Sequence, residues 1–278
     1  MRVVRPLGDE LPRPKPKGLS ERPKHMTLIA AFRCRESILL CADREESSGM
    51  SKKTSDKLQV LMAQPWITVA ANAGSAPLAD LAMKRLVKSL GEASCRGLDY
   101  LEFNHEKVII EVLTRLHEEH VWKNPKTDHR INLIIGMSFA ETKTQYLYVT
   151  EDNIPQPINT YCCKGYGEDL CTYFAERLYE KRLSPDEMIL LAALIFREVN
   201  ASIQFCGKGT DMVLLRPGEL AMSIFPDGVE SIQRKIPPLS EVMNTFWEST
   251  KSLPDWVIAI GKAARKAERS LFRDEGEE

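Results

Sequence analysis

Short apolar segments recur along this chain in an order that limits the folds open to it. Six of them have the length and apolar content of buried strands: 27–32, 38–42, 57–62, 66–73, 131–139 and 145–150. Two helical segments lie between the fourth and the fifth, and two more follow the sixth. Closing strands are predicted at 212–215 and 220–224. This grouping of strands with strands and helices with helices predicts two packed sheets with helices outside, not a βαβ alternation.

The predicted helices carry recognisable signals. Ser75 precedes a segment whose apolar residues recur at helical spacing as far as Leu90, and a second amphipathic helix is predicted from about Asn104. A third covers 170–178. The fourth opens with a capping box that has proline at its first position, Ser184-Pro185-Asp186-Glu187.

The two ends of the chain differ from its middle. Residues 1–26 are basic and proline-rich without apolar periodicity, which predicts a disordered arm, a pro-segment or the product of a misplaced start codon. The middle, 27–225, is predicted to be the folded domain, and 226–278 a helical C-terminal appendage with a basic helix at 260–272. That helix is interpreted as a solvated surface or a docking segment.

Charge and hydropathy exclude several classes of protein. The formal net charge is −1, with 38 basic and 39 acidic residues, so no nucleic-acid or membrane partner is predicted. No apolar run reaches the roughly 20 residues of a membrane-spanning helix, and the first 25 residues contain no secretory signal.

Seven cysteines without a C-x-x-C pair predict reduced thiols in a cytoplasmic protein, most of them small core residues. His117 and His120 are three apart and lack a third ligand, so no metal is predicted. No glycine-rich phosphate loop is present and no cofactor is predicted; any ATP dependence would come from a partner.

One threonine begins the first predicted strand. Thr27 and Asp43 are symmetric about residue 35, the middle of the polar connection, so an antiparallel hairpin centred there would make them cross-strand neighbours. A one-residue slip would move the contact to the other face of the hairpin. Arg44 and Glu45, which follow the aspartate, are interpreted as surface or interface charges.

A threonine hydroxyl needs a base, and the most economical one is the α-amine of the same residue, with a reference pKa of about 7.7 to 8.0. Lys57, which opens the third strand, would keep that amine neutral and polarise the hydroxyl, and Asp43 would hold the lysine. Gly74, between a strand and a helix, could offer a backbone N–H to an oxyanion. The predicted catalytic residues are therefore Thr27, Asp43, Lys57 and Gly74.

These residues and their setting resemble the proteasome β-subunit superfamily, and most of all its stand-alone bacterial proteasome-like proteins. The match runs from Thr27 to about Phe225 and rests on Thr27-Leu-Ile-Ala-Ala, Ile38-Leu-Leu-Cys-Ala-Asp43-Arg44, Lys57-Leu and Ala73-Gly74-Ser75-Ala76. The resemblance implies an α+β, four-layer αββα sandwich of two antiparallel sheets. It further implies hydrolysis of peptides by an N-terminal threonine without a metal, in a homo-oligomeric ring, with an ATPase partner left open.

The chain also departs from that family. Gly165-Tyr166-Gly167 stands where a Gly-Ser-Gly run is usual, and Ile203, Cys206 and Gly207 stand where an Asp, Ser, Gly cluster is often found. Met26 replaces the glycine at which the family cleaves itself, so removal of an initiator methionine or trimming by a protease would have to expose Thr27. Two alternatives follow: a silent subunit that serves as a scaffold or binding element, and an amidase on small amides.

Overall fold

The computed structural model of the chain describes residues 27–48, 51–54, 56–63, 66–95, 104–123, 131–203, 206–237 and 241. The chain divides into two compact units, Met1–Glu230 and Ser231–Glu278. The predicted arm at 1–26 and the predicted helix at 260–272 lie outside the described residues. The predicted domain limits at 26 and 225 stay predictions.

Twelve strands are described. In chain order they are β1 Leu28–Cys34, β2 Ser37–Asp43, β3 Glu45–Ser48, β4 Ser51–Thr54, β5 Leu58–Ala63, β6 Trp66–Gly74, β7 Ile131–Phe139, β8 Gln145–Glu151, β9 Ile154–Pro157, β10 Tyr161–Gly165, β11 Thr210–Leu215 and β12 Met222–Ile224. Sheet 1 has the order β10-β1-β2-β11-β12, and sheet 2 has the order β5-β6-β7-β8-β9. All their pairings are antiparallel.

The described residues also form five α-helices: α1 Ala76–Cys95, α2 His105–Leu116, α3 Glu168–Leu178, α4 Pro185–Ser202 and α5 Pro226–Lys235. A π-helical turn, His117–Val121, continues α2. Asn104 caps α2 by accepting the N–H of Lys107, and both bonds of the predicted capping box are present at the start of α4.

The sheets and helices form four layers. Helices α3 and α4 pack on sheet 1, helices α1 and α2 pack on sheet 2, and the two sheets pack against each other. The predicted α+β αββα sandwich of two antiparallel sheets is therefore confirmed. Because both faces of β1 and β2 are covered, every described residue of β2 and all but Arg33 of β1 are buried.

Period-two alternation decides which side chains enter the layer between the sheets. Ile29 and Ala31 of β1 and Ile38 and Leu40 of β2 face this layer, where they meet side chains of β6, β7 and β8. Each fully buried large aliphatic side chain contributes about 1.5–3 kcal/mol. The layer thus fixes β1 and β2, whose ends carry the predicted site residues.

Four strands differ from the sequence prediction. The hairpin of β3 and β4 was not predicted, because its sequences, Glu-Glu-Ser-Ser and Ser-Lys-Lys-Thr, lack apolar alternation. Strand β9 was missed because two of its four residues are proline, which a strand accepts at a sheet edge. Strand β10 was recognised only at Cys162 and Cys163.

Candidate active site

Thr27 lies immediately before β1 and is 5% exposed. Its carbonyl oxygen accepts the N–H of Tyr166 at 2.7 Å. The neighbouring residue, Gly165, has φ +108°, and a Cβ there would lie 1.9 Å from the same carbonyl oxygen. Only glycine fits this approach, so the segment 165–167, called here the Gly165 loop, holds the main chain of Thr27 in place.

Asp43 and Lys57 form a buried ion pair next to this threonine. The Lys57 Nζ donates to Asp43 Oδ1 at 3.0 Å, and their side chains are 5% and 0% exposed. The same carboxylate oxygen accepts the N–H of Leu28 at 2.9 Å. The predicted contact between aspartate and lysine is thus present, and it is anchored on the residue that follows Thr27.

The predicted register of the hairpin was wrong by one residue. Strands β1 and β2 pair Ile29 with Ala42 and Cys34 with Ser37, so the loop has two residues and the pairing is centred between 35 and 36. Continued to the ends of the strands, that register sets Asp43 opposite Leu28, not Thr27. The carboxylate therefore reaches the start of β1 through a backbone N–H. No turn signature in the polar connection fixes the length of the loop, so the sequence did not reveal the one-residue shift in register.

Lys57 makes three further hydrogen bonds besides the one to Asp43. Its Nζ donates to the carbonyl oxygen of Glu45, and its own carbonyl oxygen accepts the N–H of Asn72 at 3.1 Å and the Asn72 Nδ2 at 3.2 Å. These bonds fix the lysine to β6 on one side and to the start of β3 on the other. A side chain held in this way keeps its ammonium group in one position.

Gly74 ends β6 and immediately precedes Ser75 and α1, as the sequence predicted. Its φ is +108°, a conformation that favours glycine. A Cβ at Gly165 would lie 3.5 Å from the Cβ of Ala73, the residue before Gly74. The Gly165 loop therefore bridges the start of β1 and the end of β6, which brings Gly74 to the same end of the sandwich as Thr27.

Burial dominates the electrostatics of the pair. It raises the pKa of Asp43 to about 6, although the Lys57 ammonium and the Leu28 N–H both favour the carboxylate. At neutral pH the carboxylate is ionised, and it takes up its proton as the pH falls through about 6. Below that pH, Asp43 no longer offers Lys57 a negatively charged partner.

Glu45 is not the surface charge that the sequence suggested. It is 4% exposed, and its Oε2 would lie 3.3 Å from a Cβ at Gly207. A glutamate directly after a strand end is predicted to be solvated, but here Gly207, in the segment after α4, lies against it. Arg44 lies nearer the surface, where it pairs with Asp56 and Asp211.

Cys206 lies beside these groups and was recognised in the sequence only as a departure from the family. It is 5% exposed, and its thiol donates to the Tyr166 carbonyl oxygen at 3.3 Å. Burial, and then the charge of Asp43, raises the pKa of this thiol to about 12. Cys206 is therefore a neutral hydrogen-bond donor that supports the Gly165 loop.

In the part of the chain that the structure describes, no group of three His, Cys, Asp or Glu side chains could hold a metal ion. None of the described helices is both long and apolar enough to cross a membrane. His117 is a buried residue whose Nδ1 lies 2.8 Å from the Leu113 carbonyl oxygen. The arrangement that remains is a threonine, a buried lysine cation with its carboxylate, and a strand-ending glycine, gathered at one end of the sandwich.

No protein-family model matches the chain, and no curated protein matches it. Solved structures do. Anbu, described as an ancestral beta-subunit, from Yersinia bercovieri has a TM-score of 0.63 at 13% identity, over 82% of this chain and 98% of its own. The Anbu complex from Pseudomonas aeruginosa, solved as a helical assembly, has a TM-score of 0.64 at 14% identity over the same shares. Anbu from Hyphomicrobium sp. strain MC1 has a TM-score of 0.60 at 15% identity, again over 82% and 98%.

The chain has the fold of the Anbu proteins. This fold spans nearly the whole of each Anbu chain, so the match is to a complete domain. It confirms the resemblance to proteasome-like N-terminal-nucleophile hydrolases at the level of the fold. At this identity the likeness to Anbu carries no residue roles, and those rest on the geometry described above.

Proposed function

We propose that this chain is a threonine-type N-terminal-nucleophile amidohydrolase, a peptidase that acts through an acyl-enzyme on Thr27. The observation that carries the proposal is the buried Asp43–Lys57 pair at 3.0 Å, anchored on the N–H of Leu28. Burying two charges costs several kcal/mol each unless their partners compensate. A sandwich with a well-packed core does not need such a pair for stability, so its position beside Thr27 favours a chemical role.

In the proposed reaction Thr27 is the first residue and its α-amine takes the proton of Oγ1. The nearby ammonium of Lys57 opposes a second positive charge on the amine and stabilises the forming alkoxide. Oγ1 then attacks the carbonyl carbon of the scissile bond, and the Gly74 N–H donates to the oxyanion. The amine returns its proton to the leaving nitrogen, which gives an ester on Thr27 that water hydrolyses.

The proposal requires that Met26 and the residues before it are removed, since a peptide-bonded nitrogen cannot act as the base. The proposed enzyme acts in the cytoplasm as a homo-oligomeric ring. An ATPase partner is left open. The helical assembly of the Pseudomonas aeruginosa Anbu complex supports self-association of this fold. A peptide or protein substrate follows from the likeness to proteasome-like proteins.

A second candidate is a subunit without activity that serves as a scaffold or binding element. Tyr166 and Ile203 favour it, because they place an aromatic ring and an aliphatic chain where the related proteins carry hydroxyl and carboxyl groups. A third candidate, hydrolysis of small amides, uses the same nucleophile and differs only in substrate.

The test is to insert a specific protease site directly before Thr27 and to compare fluorogenic peptide and small-amide hydrolysis before and after cleavage. We expect activity only after cleavage and only with the threonine present, so Thr27→Ala is the control. Cleaved protein that is inactive on every peptide and amide would support the scaffold. Peptide hydrolysis that survived Thr27→Ala would contradict the proposed nucleophile.

A further inference from the structure

Two buried cysteines lie on the helix-facing side of sheet 1, close enough to react with each other. Cys163 of β10 is 4% exposed, and Cys171, in the first turns of α3, is fully buried. Their Sγ atoms are 2.7 Å apart. A disulfide bond joins sulfur atoms at about 2.05 Å, so a displacement of well under 1 Å brings the two atoms to bonding distance.

Strand alternation separates Cys163 from its neighbour Cys162. Cys162 faces the layer between the sheets, so it points away from α3. Cys163 and Cys41 are both paired with Ala30, one on each side of β1, and therefore share the helix-facing side with it. The Sγ atom of Cys171, on α3, meets the Sγ atom of Cys163 on this side of the sheet.

The two cysteines bracket the Gly165 loop. The segment between them is 164–170, and within it Gly165 and Tyr166 hold the carbonyl oxygen of Thr27. A bond between Cys163 and Cys171 would therefore close a small ring of chain around the backbone that fixes Thr27. Closing such a ring removes conformational freedom from the opened loop and from the unfolded chain.

We infer that Cys163 and Cys171 are a thiol pair that a peroxide converts to a disulfide and a thiol reductant restores. One sulfur attacks the O–O bond, becomes a sulfenic acid and releases water; the second sulfur displaces the hydroxyl as a second water. Two thiols and one hydrogen peroxide thus give one disulfide and two waters, and the two electrons pass from sulfur to the peroxide oxygens. Two equivalents of a monothiol reduce the disulfide to two protein thiols and leave as their own disulfide.

The reaction is expected to be slow. The hydrogen bond with Cys163, and then burial, raise the pKa of Cys171 well above its usual range, and a neutral thiol is a poor nucleophile. The pair therefore responds to prolonged oxidation, not to brief exposure. Its product is a staple between β10 and α3 that holds the Gly165 loop whether or not Thr27 is a working nucleophile.

The test uses the full chain, reduced, then incubated with hydrogen peroxide under native conditions and alkylated in denaturant. Trypsin cuts after Lys164, which separates the two cysteines into peptides 144–164 and 165–177. We expect these peptides to be joined by a disulfide bond. The mass of the joined species should be lower by two hydrogen atoms than the summed mass of the two reduced peptides, and reduction should separate them. The midpoint temperature of thermal unfolding should rise by about 5 °C on oxidation and fall back on reduction.

Four variants assign the bond. Cys163→Ser and Cys171→Ser should each abolish the joined peptides and the thermal shift. Cys162→Ser and Cys34→Ser, which change buried thiols outside the pair, should retain both. Joined peptides that disappear in Cys162→Ser, or native protein whose seven thiols all remain free for alkylation after prolonged oxidation, would overturn the inference. Neither readout uses peptidase activity, so the result is independent of the proposed function.

Discussion

The charge of a single carboxylate, Asp43, connects the pH with the state of the proposed site. Its pKa of about 6 is set by burial, and its loss of charge leaves Lys57 without its partner. For protein cleaved before Thr27, we expect kcat/KM to fall as the pH drops through about 6. Asp43→Asn should remove the part of this acid limb that belongs to Asp43 and lower activity at every pH, while the part due to protonation of the Thr27 α-amine should remain. A profile of the cleaved wild type that stays flat between pH 5 and 7 would contradict the assignment.

The same group makes an opposite prediction for stability. Its folded pKa lies above the reference value of 3.8, so between about 4 and 6 the folded state binds a proton that the unfolded state has released. The contribution of Asp43 to the free energy of unfolding therefore rises as the pH falls through this window, relative to Asp43→Asn. Denaturant titrations of both proteins at pH 4.5 and 7 measure it. If activity is lost at acid pH while this contribution to stability grows, the loss of activity comes from the loss of charge on Asp43 and not from unfolding.

Gly165 gives a second prediction for a single residue. Gly165→Ala places a Cβ 1.9 Å from the Thr27 carbonyl oxygen, in a backbone with φ +108°, so the chain must shift. We expect a loss of about 3 kcal/mol or more in the free energy of unfolding, measured with urea. Gly91→Ala in α1 is the control, because nothing lies within 4 Å of its added Cβ. That change should stabilise the helix by about 0.5–1 kcal/mol; equal effects at both positions would contradict the packing argument.

At the scale of elements, the start of α4 carries a prediction about capping. The Ser184 Oγ accepts the Glu187 N–H at 3.3 Å, and the Glu187 carboxylate accepts the Ser184 N–H at 2.8 Å. Ser184→Ala removes the acceptor of the first bond and should cost about 1 kcal/mol in the free energy of unfolding. Ser202→Ala, at the exposed end of the same helix, should change it by less than about 0.5 kcal/mol. Thermal and urea unfolding of the two variants measure these changes. A loss in the free energy of unfolding for Ser184→Ala that is no larger than the loss for Ser202→Ala would refute the role of the capping box.

What the sequence could predict at this scale depends on where the information is local. The box at Ser184 is written in adjacent residues and both of its bonds are present, and α2 begins at His105, next to the predicted start at about Asn104. The register of β1 and β2 was missed because it depends on whether the loop has two or three residues, and Arg35-Glu36 carries no turn signature. The burial of Glu45 was missed because the covering chain comes from residues after α4.

At the scale of the whole molecule, the order of elements was enough for the four layers, since the grouping of strands and helices leaves few ways to cover two apolar sheets. The pair of Asp43 and Lys57 was also within reach, because a threonine nucleophile needs a nearby cation and that cation needs a carboxylate to hold it. The support of the Gly165 loop by Cys206 was not predicted, since it joins β10 to the segment after α4 across about 40 residues. Contacts of that range follow from packing and leave no local pattern.

The last prediction concerns assembly, and it separates the scaffold from the enzyme. If the chain forms a ring, as proposed, light scattering after gel filtration should give a mass that is a multiple of the mass of one chain, which is 31.5 kDa before cleavage. Thr27→Ala should leave that mass unchanged, because the hydroxyl and methyl of one buried side chain contribute little to the sandwich, while any peptidase activity disappears. A mass of one chain at all concentrations would contradict the ring. An assembled wild type that is inactive after cleavage before Thr27 would leave the scaffold as the function that the geometry supports.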